Sequence, residues 1–236
     1  MIDRRRFLLG SAAATGCWRR RATGFPGYAF VANGGERSVA AVDLTSFTVA
    51  RQIQLEGSPA QVVAVPGRRR VYALASQNAT VYEIDAAGLS VKRKLSLGGT
   101  AVSMRLEPGE EALWVLCRSP HALIRVPLGW AKWQAASRLK LPGEPEGFDL
   151  AGDGRLAVAS FAQMRSVALI DLAKPVVLNV ANAGDDPRTA LFRSDGRQVL
   201  VANRNARMIT VLDVKTGGIL VKLPLPVEPE HFCVKA

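Results

Sequence analysis

The 236-residue sequence predicts an all-β fold, a β-propeller of four-stranded antiparallel blades. Three observations carry that expectation. Five lines of sequence fall into register at spacings of about 42 or 43 residues, the period of a propeller blade. Within each line, short apolar or alternating runs are punctuated by Gly-containing turns, the pattern of strands and hairpins. Beyond the N-terminal segment, no stretch carries apolar residues at helical spacing for even three turns.

Taken in chain order, residues 1–27 read as an export signal and linker, and residues 28–236 as the propeller. "DRRRFLLGSAAATGC" opens with Asp3 and Arg4, Arg5 and Arg6, then a short apolar run from Phe7 to Gly16. A charged start, a brief apolar stretch and small residues make a signal sequence, and the run is too short to span a bilayer. Arg4, Arg5, Arg6, Phe7 and Leu8 resemble the twin-arginine pattern Arg-Arg-x-Phe-Leu, which implies export of a folded protein to the periplasm. Cys17 stands where a lipobox places its acylated cysteine, with Ala14 in place of the usual Leu. A lipid anchor at Cys17, the one membrane attachment the sequence offers, and export without an anchor both stay open.

The propeller region begins with "YAFVANGGERSVAAVDL" from Tyr28, and four further lines follow: "VYALASQNATVYEID", "LWVLCRSPHALIRVP", "LAVASFAQMRSVALIDL" and "VLVANRNARMITVLDV". Asp43, Asp85, Asp171 and Asp213 each end the second run of a line, and Pro127 takes that place in the third. An aspartate there is expected to accept backbone hydrogen bonds in the following turn. Asn33 and Asn203 are expected to cap turns. A proline recurs at Pro59, Pro145, Pro187 and Pro229, with Ala101 at the second position of the series. Each unit therefore reads as an inner strand after the proline, a second strand, a third strand ending in Asp, and an outer strand. The first line starts at a second strand, and "HFCVKA" at the end is an inner strand. These two fragments are expected to share one blade, giving about five blades in a closed ring.

The stretch from Ser194 to Leu225, with "VLVAN" and "ITVLDVKTG", resembles the YVTN-type, or YncE-like, β-propeller repeat. The resemblance covers Tyr28 to Ala236 and is thinnest in the third unit. That family usually forms a seven-bladed ring, so a complete five-bladed ring and a seven-bladed ring lacking two blades both remain open.

The formal net charge of +11 is uneven. The first 27 residues hold six arginines and Asp3, and the other 25 basic and 19 acidic residues leave +6. That excess gives modest, salt-sensitive attraction to polyanions rather than a nucleic-acid footprint. Ligands of propellers gather at the channel mouth, which places Gln61, Glu146, Arg188, Glu230 and His231 there as binding candidates. Glu146, Glu230 and His231 could converge as metal ligands, but solvated loop ends are the simpler reading, so no metal, cofactor or catalytic group is expected. Cys117 and Cys233 fall in separate strands and are expected to be buried free thiols. Trp130 and Trp133 are expected to cover a blade edge, and Arg68, Arg69 and Arg70 to form a solvated turn cluster. The sequence thus points to a non-catalytic envelope module binding an unidentified protein or polymer. A subunit of a periplasmic quinone- or metal-linked oxidoreductase and a YncE-like nucleic-acid binder are the alternatives.

Overall fold

A computed structural model describes residues 26–229. The chain forms one three-stranded and four four-stranded antiparallel sheets, following one another in sequence. The first sheet holds β1 (Tyr28–Asn33), β2 (Ser38–Asp43) and β3 (Thr48–Gln54). The second holds β4 (Pro59–Val65), β5 (Arg70–Ala75), β6 (Thr80–Asp85) and β7 (Ser90–Ser96). The third holds β8 (Thr100–Leu106), β9 (Ala112–Ser119), β10 (Ala122–Pro127) and β11 (Ser137–Lys140). The fourth holds β12 (Gly147–Leu150), β13 (Leu156–Phe161), β14 (Ser166–Asp171) and β15 (Val176–Asn182). The fifth holds β16 (Pro187–Phe192), β17 (Gln198–Asn203), β18 (Met208–Asp213) and β19 (Ile219–Pro224). The predicted inner strand "HFCVKA", from His231 and including Cys233, lies outside the described residues, as do Glu230, Arg4 to Leu8 and Cys17.

The second, third and fourth sheets bury both faces, which explains the continuous apolar runs in their second and third strands. Successive side chains of a strand point to opposite faces. Val71, Ala73 and Ala75 of β5 therefore pack with Val39 and Ile53 of the first sheet, while Tyr72 and Leu74 pack with Met104, Leu113 and Val115 of the third. Trp114, Leu116 and Leu123 meet Phe148, Phe161 and Ile170 across the next interface, and Val158 and Val167 meet Val201 and Leu212 across the last. The core is four apolar layers between sheets. Full burial of one such aliphatic side chain contributes about 1.5–3 kcal/mol.

The turn chemistry follows the repeat. Asp43 Oδ1 accepts the N–H of Thr45 at 2.7 Å, Asp85 that of Ala87 at 3.1 Å, Asp171 that of Ala173 at 2.8 Å, and Asp213 that of Thr216 at 2.8 Å. Outer strands carry a second shared feature. The pairing slips by one residue in β3, β7, β15 and β19, leaving Ala50, Lys92, Leu178 and Leu220 without a partner across the ladder.

Two expectations need correction. Asn203 does not cap a turn: it is buried, and its side-chain amide donates to Thr210 Oγ1 at 2.9 Å, pinning β17 to β18. Turn caps come instead from main-chain carbonyls, as where Glu36 N–H donates to Asn33 O. Nor is Arg70 a solvated turn residue. It pairs with Glu83 and with Asp85, both at 3.0 Å, and Arg68 pairs with Glu111 across the blade boundary at 2.8 Å. Glu83 also takes Arg93 at 2.7 Å, and Arg93 lies 4.5 Å over the Trp133 ring. Trp133 packs on Tyr72 of the neighbouring blade and donates to Pro127 O at 3.0 Å, so it covers a boundary between blades, while Trp130 is 45% exposed. Burial and the Glu83 carboxylate push the Tyr72 hydroxyl up to about 12. Cys117 is a buried free thiol, which burial pushes up to about 11.

Candidate functional site at the channel mouth

The residue after each marker proline has a special position. In β4, β8 and β16 the pairing slips there, so Ala60, Val102 and Arg188 face no residue across the ladder. Such a bulge re-aims its side chain away from the sheet. Glu146 occupies the same place ahead of β12, and its N–H is fixed by Ser160 O at 2.9 Å. Gly147 makes the approach of neighbouring blades possible, because a Cβ there would stand 2.9 Å from Arg188 O. Ser160 Oγ donates to that same carbonyl at 3.0 Å, which occupies its hydroxyl.

Glu146 and Arg188 are thereby brought together. Glu146 Oε2 lies 3.1 Å from Arg188 Nη1 and 3.2 Å from Arg118 Nη2, the latter at the end of β9. Arg118 reaches Glu144 at 2.9 Å, and Arg188 reaches Asp186 at 2.7 Å. Five charged groups from three blades form one chain, with three carboxylates against two guanidiniums. Asp186 and Glu146 are the most enclosed of them, with side chains 10 % and 14 % exposed. A cation seated on Glu146 would have to displace both guanidiniums. Among the described residues no three His, Cys, Asp or Glu side chains converge as a metal centre.

Gln61 has a different place in the fold. Its side-chain amide donates to Met104 O at 2.9 Å and accepts Met104 N–H at 2.8 Å, locking β4 to β8. Asp149 makes a related lock, accepting Phe192 N–H at 3.0 Å across the β12–β16 boundary, with Arg105 at 3.9 Å. Burial raises the Asp149 carboxyl above its ordinary value, against the opposing pull of the Phe192 N–H and Arg105. Glu230 and His231 lie outside the described residues.

Sequence reasoning missed Glu144 and Asp186, although a signal for them exists. An acid precedes the marker proline in "EP", "DP" and "EP" at Glu144, Asp186 and Glu228. Arg118 and Arg204 hold equivalent loop positions, and Arg204 pairs with Glu228 at 3.4 Å as Arg118 pairs with Glu144. At Glu144 and Glu228 the acid before the proline thus anchors an arginine at the end of the second strand, whereas Asp186 pairs with Arg188.

These five antiparallel sheets define a β-propeller-like fold. No protein-family description matches the chain, and no curated protein matches it. Among solved structures, 1476 chains do, so the fold is widely shared. One is a functionally unknown protein from Desulfotomaculum acetoxidans DSM 771, similar with a TM-score of 0.74 at 15% identity over 86% of this chain and 68% of that one. Another is Kuenenia stuttgartiensis hydrazine synthase, with a TM-score of 0.60 at 14% identity over 86% of this chain and 85% of that one. At such identity the likeness establishes the fold alone.

Proposed function

We propose that this chain is an exported, non-catalytic β-propeller that binds or scaffolds an envelope protein or polymer. The observation that carries this reading is the state of the mouth: Glu146, Arg188, Arg118, Glu144 and Asp186 hold one another in ion pairs. Such a surface recognises a partner by exchanging hydrogen bonds at a rigid rim and offers no activated nucleophile. The YVTN-like repeat and the twin-arginine-like leader belong to the same reading and supply its envelope address. Fusing residues 1–27 to a folded reporter tests the address. Export is expected, and an Arg4→Lys/Arg5→Lys pair should abolish it; export that persists in that pair argues for another route. Cross-linking the exported protein in cells should trap a partner that Glu146→Arg fails to trap.

The second reading, a subunit of a metal- or quinone-linked oxidoreductase, draws on the fold shared with hydrazine synthase. An absorption spectrum and metal content of the protein recovered from the periplasm separate the two. Bound chromophore or stoichiometric metal would favour the oxidoreductase. The nucleic-acid reading predicts retention on DNA at low salt that disappears steeply as salt rises.

A further inference from the structure

The outer edge of the third sheet holds a cavity of ≈ 300 Å³ lined by Pro120, His121, Ala122, Arg138 and Lys140. Three of these side chains are nitrogen donors and none is a carboxylate. Arg138 and Lys140 are two residues apart on β11, so the pleat puts them on one face. Lys140 lies opposite Ala122, and Leu141 N–H donates to His121 O at 3.0 Å, which brings the β9–β10 loop against them. Arg138 Nη2 donates to Leu97 O at 2.8 Å across the blade boundary, which holds its guanidinium in place.

The repeat supplies the comparison that gives this cluster meaning. Leu55, Leu97 and Leu141 are equivalent, since each N–H donates to the carbonyl of the loop between the second and third strands, at Arg37, Ala79 and His121. Counting from them, Lys94 is equivalent to Arg138, and Glu56 is equivalent to Gly98. Lys94 reaches across its boundary and binds the Glu56 carboxylate at 2.6 Å. One boundary further on, the cation is retained as Arg138, but the carboxylate position is Gly98. That glycine has φ +78°, and among the described residues nothing lies within 4 Å of where its Cβ would stand. Among the described residues the cation has lost the counterion of the neighbouring boundary, open space lies beside it, and Lys140 adds a second positive charge where the equivalent residue is Ser96.

We propose that this cavity binds a phosphate-class oxyanion, either free phosphate or a phosphate monoester, with Arg138, Lys140 and His121 as donors. A tetrahedral dianion matches two cations and three converging donors better than a carboxylate does. The site is separate from the channel mouth and does not depend on the role proposed for it.

The test is calorimetric titration of the whole propeller with inorganic phosphate at constant ionic strength. Saturable binding at one site is expected. Lys140→Glu and Arg138→Gln should each weaken it about tenfold or more, the loss of one charge-assisted hydrogen bond. Lys222→Glu, which changes the net charge equally on a distant outer strand, should leave it unchanged. Gly98→Glu, restoring the carboxylate of the neighbouring boundary, should remove binding, with circular dichroism confirming its fold because a side chain at that φ is strained. Glycerol phosphate that competes with phosphate marks a monoester site, and failure to compete marks a site for the free ion. The proposal is overturned if the unaltered protein shows no saturable phosphate binding. It is equally overturned if Lys140→Glu and Arg138→Gln bind normally, or if Lys222→Glu is as damaging as they are.

Discussion

Glu146 and Asp149 stand three residues apart, yet their carboxylates face opposite physical situations. Glu146 is stabilised by two guanidiniums, so Glu146→Ala leaves Arg118 and Arg188 each short of a partner. Because both arginines are partly exposed, the expected loss is about 1–2 kcal/mol, read as a lower urea midpoint. Asp149 is held above its ordinary value of 3.8 by burial. Its folded form therefore binds a proton more readily than the unfolded chain, and its contribution to stability falls as pH rises through the carboxylate range. Asp149→Asn retains an acceptor for Phe192 N–H and removes the buried charge. It should match the unaltered protein at acid pH and exceed it at neutral pH in thermal unfolding. Gln61 acts through both atoms of its amide on Met104, so Gln61→Ala should cost about 1–3 kcal/mol by leaving inner-strand backbone groups unpaired.

At the scale of the strand and turn, what a sequence reveals depends on how local the physics is. The aspartates closing the third strands were legible because their acceptors reach only two or three residues ahead. Asp85 and Asp213 are lowered chiefly by those backbone N–H groups. Their stabilisation is present above the ordinary carboxylate value and is lost as pH falls below it. Replacing both by Asn should flatten the acid side of the stability profile, opposite in sign to the Asp149 effect. Arg70 was misread for the converse reason. Its turn looks solvated in sequence, but Glu83 and Asp85 arrive from a strand paired beside it. Asn203 likewise sits at a strand end, where a cap is the local expectation, and only the β17–β18 register sets it beside Thr210.

For the whole molecule, the number of sheets and their order were legible because each blade repeats one amphipathic plan. The mouth was only half legible: the residue after each proline was visible, but its partners come from other blades. The first sheet has three strands among the described residues, and Tyr28 and Val31 of β1 are 41% and 46% exposed, whereas β5, β9 and β13 are buried. If the strand expected after Pro229 pairs with β1 in the register of β4 with β5, Cys233 would stand opposite Phe30. Phe30→Cys should therefore cross-link to Cys233 on mild oxidation, detected by mass of the joined peptides, whereas Ala32→Cys should not. Absence of any cross-link would speak against a shared blade. The slipped residue in β3, β7, β15 and β19 has a wider effect. Each rim strand is kinked just where a flat one would invite a neighbouring molecule to add its own strand, and β11 achieves the same with only four residues. A rim whose edges are interrupted in this way discourages fibre growth, and deleting Ala50 or Leu178 should increase self-association, read by light scattering.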